Sequence, residues 1–142
     1  NLHTPALLPA SYCDDVNERL TLYKRLANCE QLDQLDSLHQ ELIDRFGIPP
    51  ESTQNLIEIH RLRILSQQLG IKELDANHKH IVIRFCKNPP IDTLKLIQLV
   101  QKDPTTFKFI GNEILKIDKA FSTVAERIKQ IKEFIHFVNK KN

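Results

Sequence analysis

Four groups of side chains in this 142-residue sequence stand close enough together to do chemistry. The first is Glu41, Asp44 and Arg45, inside the run Glu41-Leu42-Ile43-Asp44-Arg45-Phe46-Gly47. Residues at i, i+3 and i+4 of a helix share one face. Two carboxylates and a guanidinium would therefore project together into water, opposite the stripe Leu35, Leu38, Leu42 and Phe46. Such a group binds by polar contact: carboxylates accept from a partner's Arg or Lys, and a guanidinium forks onto a partner's carboxylate. The same residues also describe an ordinary solvated face, because an exposed Glu–Arg i,i+4 pair is worth only about 0.3–0.5 kcal/mol. On residue types alone that plainer reading comes first.

The second group is His78 and His80, an H-x-H that would face one side of a strand and suit a metal. The pair alone does not complete a ligand set, so an exposed turn pair is the favoured reading. The third is Asp14-Asp15; capping of the next helix explains it more simply than acid–base work. The fourth is the cationic set of the last helical stretch, Lys119, Arg127, Lys129, Lys132, Lys140 and Lys141, set against Asp118, Glu126 and Glu133. It offers a nucleic-acid-contacting face. Without Trp, and with only two Tyr in the chain, a solvated face is favoured. Phosphate-binding glycine loops and the GxSxG and HExxH patterns are absent. No catalytic residue, cofactor site or metal site is expected.

Composition bounds the class. Hydrophobic residues make up 41% and charged residues 27%, which is ordinary for a globular domain with a real core. The net charge is +2, unevenly spread: residues 1–70 hold 6 Lys+Arg against 10 Asp+Glu, residues 71–142 hold 14 against 8. An acidic half (−4) thus precedes a basic half (+6). Cys13, Cys29 and Cys86 are widely spaced and odd in number, which fits free thiols in a reducing cytoplasm. The start, Asn1-Leu2-His3, carries neither an initiator Met nor a basic-then-apolar leader, so the chain reads as a piece of a longer protein.

The elements that would position these groups follow from periodicity. Residues 1–13 read as an extended lead-in or linker and 14–142 as one domain. A first helix begins at Asp15, with Glu18 as a capping-box partner and Val16, Leu20, Tyr23 and Ala27 as its inner stripe. A second runs from about Cys29, capped by Asn28, to Phe46, where Gly47 stops it. A third runs from about Pro50 to Leu69 with a broad apolar arc. The period then changes. Residues 71–75 and 80–86 read as a hairpin, and a helix starting at Asp92 follows. A second hairpin turns at Gly111-Asn112, and a long helix spans Phe121 to Val138 with the stripe Phe121, Val124, Ile128, Ile131, Ile135 and Val138. The expected fold class is α+β: a three-helix half, then a small antiparallel sheet of two hairpins with one intervening helix and a long C-terminal helix.

Several stretches read together resemble the C-terminal domain of the bacterial transcription-repair coupling factors, the Mfd family. They are Pro5-Ala6-Leu7-Leu8-Pro9, Asp15-Val16-Asn17-Glu18-Arg19-Leu20, Tyr23-Lys24-Arg25, the run from Glu41 to Gly47, Arg61-Leu62-Arg63 and Leu69-Gly70-Ile71-Lys72. Cys13-Asp14 stands where the family pattern has Ile-Pro. The resemblance implies a non-catalytic, autoinhibitory domain of a large ATP-driven DNA translocase that displaces stalled RNA polymerase and recruits nucleotide-excision repair, with the motor elsewhere. It implies that this domain clamps the parent's N-terminal UvrB-homology module, masks the UvrA-binding surface there, and does so through Glu41, Asp44 and Arg45. The alternative from another class is a basic nucleic-acid-contacting module built on the strands and last helix.

Overall fold

The chain stays helical until glycine and proline interrupt it, and turns to strands where β-branched residues take over. The structure, a computed structural model, describes residues 1–140. Helix α1 covers Val16–Asn28, α2 Leu32–Phe46 and α3 Glu51–Gln68. Strands β1 (Ile71–Ala76) and β2 (Ile81–Phe85) follow, then α4 (Thr93–Lys102), β3 (Phe107–Ile110), β4 (Ile114–Ile117) and α5 (Val124–Val138). This is the expected α+β order, three helices before four antiparallel strands. The chain forms two compact units: Thr4–Ile64, and Asn1–His3 together with the chain from Leu65 onward.

In the helical unit, Asp15 caps α1 by accepting from the Glu18 N–H at 3.1 Å. Of the stripe expected to face inward, Tyr23 packs against the core and the other three members stay exposed. Val16 and Leu20 are 58% and 54% exposed, while Leu22 and Leu26 are buried. Two overlapping stripes compete on this helix. The buried side of the helix runs through Leu22 and Leu26 at i,i+4 with Tyr23 beside them, and the two leucines at full burial remove more apolar area from water than Val16 and Ala27 would. Asn28 is the last residue of α1 rather than the cap of α2. Instead the Gln34 side-chain oxygen accepts from the N–H groups of Glu30 (2.8 Å) and Gln31 (3.1 Å), closing the open start of α2. Leu35, Leu38 and Leu42 are buried as their spacing predicts. Gly47 ends α2 at φ +88°, its N–H bonded to the Ile43 carbonyl at 2.9 Å.

The lead-in is tied down by hydrogen bonds. Leu8 is buried and donates its N–H to the Tyr23 hydroxyl at 2.7 Å. Leu7 exchanges bonds with α3: its N–H reaches Ser52 O at 3.1 Å, and its carbonyl accepts from the fully buried Thr53 hydroxyl at 2.8 Å.

In the sheet unit the strand order is β1-β2-β4-β3, all antiparallel. The register pairs Ile83 with Leu115 and Ile81 with Ile117, so these four buried side chains share one face. The second hairpin pairs Ile110 with Ile114, which leaves residues 111–113 as a loop one residue longer than the expected Gly-Asn turn. Gly70, at φ +71°, carries the chain from α3 into β1; a Cβ there would stand 2.7 Å from Cys86 Sγ. Helix α5 starts later than its pattern suggested. Thr123 caps it, accepting from the Glu126 N–H at 3.1 Å, and Phe121 is buried just ahead of the helix. Arg127, expected on a basic outer face, is only 7% exposed. It stands at the phase of Ile131, Phe134, Ile135 and Val138, and donates to the carbonyls of Phe121 (3.1 Å) and Leu2 (3.0 Å).

Candidate functional site

The flank of α2 beside α1 gathers the charged residues the sequence singled out, and adds two more. Glu41 uses both carboxylate oxygens on Arg25 of α1: Nη1 donates at 2.6 Å and Nη2 at 2.8 Å, a forked pair. One of those oxygens also accepts from Arg45 Nη1 at 3.1 Å. Arg45 in turn pairs with Glu18 of α1. The result is an alternating row, Glu18–Arg45–Glu41–Arg25, that stitches α1 to α2. Glu18 therefore serves Arg45 rather than completing a capping box.

Asp44 stands apart from the row. It is exposed, and among the described residues its carboxylate accepts from the neutral Gln40 amide at 3.0 Å and forms no ion pair. All three expected site residues thus lie along one flank, but in two states: Glu41 and Arg45 internally paired, Asp44 open.

The support beneath the row is apolar and hydrogen-bonded. The Arg45 guanidinium lies 4.9 Å from the Phe46 ring centroid, and Phe46 stacks at a tilt on Tyr12, 5.5 Å between centroids. The Tyr12 hydroxyl donates to the carbonyls of Leu42 (3.1 Å) and Gly47 (2.8 Å), pinning the end of α2. Burial, with the neighbouring Cys13 as the lesser cause, raises the Tyr12 phenol above its ordinary value. The hydrogen bond from Arg25 holds Glu41 below the usual carboxylate range, although partial burial opposes it, and the same bond raises Arg25. Two open grooves flank the row. One of about 300 Å³ is lined by Arg25, Gln34, Ser37 and Glu41; the other, about 360 Å³, by Glu18, Thr21, Arg25 and Arg45.

Arg25 and Glu18 are the members the sequence reading missed as site residues. It read Glu18 as a capping partner and gave Arg25 no place in a site. Their spacing carried the signal: Glu18 and Arg25 are seven residues apart, two turns along one side of α1, and match the reversed signs of Arg45 and Glu41 on the next helix.

The other candidate groups do not assemble. His78 and His80 sit in the β1–β2 turn, where Asn77 Oδ1 accepts from the N–H groups of Lys79 and His80 at 2.8 and 3.0 Å. No group of three or more His, Cys, Asp or Glu that could hold a metal ion occurs among the described residues. Asp15 is the α1 cap. The basic set loses Arg127 to the core, and Lys141 lies outside the described residues. Two cations of the sheet are already paired, Arg84 with Glu73 and Lys108 with Asp118. No helix among the described residues is long and apolar enough to cross a membrane.

Comparison with known proteins adds a lineage to this geometry. A family model described as the TRCF domain matches residues 2–96, which include the whole charged row. The chain is similar to the transcription-repair-coupling factor of Haemophilus influenzae, 39% identical over 137 residues, covering 96% of this chain and 12% of that protein. It is 38% identical over 134 residues to that of Escherichia coli K12, covering 94% of this chain and 12% of that protein. The chain therefore spans 12% of the length of these two relatives. A crystal structure of the C-terminal domain of a transcription-repair coupling factor superposes with a TM-score of 0.79 at 22% identity, covering 95% of this chain and 87% of that one. At that identity the likeness is one of fold.

Proposed function

The chain belongs to the transcription-repair coupling factor family, as a TRCF domain, and from that premise we propose that it is a regulatory domain that does no chemistry of its own. It clamps the N-terminal UvrB-homology module of its parent protein and covers the UvrA-binding surface there. The parent is an ATP-dependent DNA translocase of the cytoplasm that acts on stalled RNA polymerase and hands the site to excision repair, its motor lying outside this chain. Residues 14–142 act together as the clamp domain, and residues 1–13 connect it to the rest.

The observation that carries this reading is the flank of α2. Asp44 presents an uncompensated carboxylate beside the Glu41–Arg45 pair, on a helix whose end is fixed by the Tyr12 hydroxyl. Exposed charge set on a rigid backing gives register and specificity more than raw affinity. A clamp that must reopen needs that balance, and a tether to its own partner raises the effective concentration enough for weak contacts to hold.

The test is calorimetric titration of this chain into the separately purified N-terminal module. Binding that Glu41→Ala/Asp44→Ala/Arg45→Ala abolishes, with the circular dichroism spectrum unchanged, supports the clamp and its residues. Binding indifferent to the triple change moves the clamp elsewhere on the surface. A gel shift of duplex DNA that collapses steeply with added salt would favour the nucleic-acid-contacting module instead.

A further inference from the structure

We infer that Arg25 is a contact residue of the docking surface and that Glu41 is its positioning residue, so that the partner meets Asp44, Arg25 and Arg45 rather than the Glu41 carboxylate. The inference rests on the clamp reading and specifies the partner's chemistry. Glu41 has little left to offer an outside cation: both oxygens are engaged by the Arg25 fork at 2.6 and 2.8 Å, and one of them by Arg45 as well. A third guanidinium or ammonium arriving there would have to displace a charge-assisted bond already in place. Asp44 differs. Its neighbour is a neutral amide, and it has an oxygen to spare for an incoming Arg or Lys.

Guanidinium geometry supplies the other half. A fork bonded through Nη1 and Nη2 still has further N–H donors directed away from its carboxylate. The Arg25 side chain keeps 45% of its surface exposed, and that of Arg45 41%. Arg25 lines both grooves beside the row, and Arg45 lines one of them. Without Glu41, Arg25 would swing over many rotamers, and binding would have to fix it at an entropic cost. Glu41 removes that cost in advance. The partner surface must then be mixed in sign: a cation placed for Asp44, and a carboxylate within reach of Arg25 and Arg45.

The experiment is the titration against the N-terminal module, run with Asp44→Asn, Arg25→Gln, Glu41→Gln and the double variant R25Q/E41Q, together with the charge swap R25E/E41R. The expected results are a loss of at least about tenfold for Asp44→Asn, and a double variant no weaker than the worse of its two single changes, because Glu41 acts through Arg25. The charge swap restores an internal pair and recovers much of the melting temperature lost by the single reversals, yet stays at least about tenfold weaker in docking, because the sign shown to the partner is reversed. A purely structural pair would recover binding along with melting temperature; that outcome, or fully additive losses in R25Q/E41Q, overturns the inference. If the unaltered chain does not bind the module, the clamp reading itself fails and this one falls with it, a result distinct from binding with additive losses.

Discussion

Arg127 in the sheet unit and the Arg25–Arg45 system in the helical unit put one functional group to opposite uses. Arg127 is buried and spends its donors on two carbonyls, Phe121 and Leu2, which lie far apart in sequence. Removing a cation from water is costly, so a guanidinium in that setting persists only where its bonds are fixed, and it fixes the chain in return. Arg25 and Arg45 sit at the surface, bonded to carboxylates that water could also solvate. Those pairs individually add little to stability. A buried arginine thus specifies architecture, whereas an exposed row of alternating charge joins two helices at little gain in stability, which suits it to the recognition proposed above.

The sharpest way to break this contrast is Arg127→Ala. It strands two carbonyl acceptors, and the expected loss is roughly 2–4 kcal/mol in urea unfolding, with faster amide exchange along β1. A loss below that of Glu41→Gln would end the comparison. Next comes Gly70→Ala. The positive φ and the 2.7 Å approach of a new Cβ to Cys86 Sγ combine to about 2 kcal/mol. In the helical unit, Thr53→Val keeps the shape but removes the bond to Leu7 O, and about 1 kcal/mol should go with it.

The surface row should matter least to stability. Glu41→Gln at neutral pH is expected to cost less than about 1 kcal/mol. Its pH signature has a definite sign. The bond from Arg25 sets the folded carboxyl below its unfolded value of 4.5, so its contribution is present above that value and is lost as pH falls through the lower folded one. Unfolding curves of the native chain and Glu41→Gln should therefore converge on acidification below about 4.5 and separate above it. His60 gives a smaller, earlier step. Burial, and then the Arg63 charge, lower its imidazole below 6.5, so the neutral form is favoured in the fold. The contribution is present above 6.5 and declines as pH drops toward the lowered value; His60→Gln should flatten that first decline and leave the Glu41 step in place.

Much of this was legible because local rules agreed with one another. Leu35, Leu38, Leu42 and Phe46 left α2 one way to lie, and Gly47 one place to end it. The strands declared themselves through Ile81-Val82-Ile83 and the alternation around Gly111. Helix α1 was misread because both of its stripes satisfy the helical period; which one is buried depends on what the neighbouring helices offer, and periodicity has no access to that. Arg127 was misread for a related reason. Its phase agreed with the core, but a charged residue type argued for solvent, and only the carbonyls of Leu2 and Phe121, 125 and 6 residues away, resolve the conflict. The shared face of Glu41, Asp44 and Arg45 was visible from spacing, and the family resemblance offered it as a site, whereas Arg25 and Glu18 lie on another helix. Pairing across helices is a tertiary fact.

The first three residues belong to the sheet unit and the chain then leaves to build the helical one, returning only at Leu65. Asn1 accepts from the Ala76 N–H at 2.8 Å, Leu2 is buried under the Arg127 bond, and His3 meets Asp75 at 2.7 Å. These contacts make residues 1–3 a splice that completes the sheet unit, which is thus assembled from two pieces of chain with the residues of the helical unit falling between them in sequence.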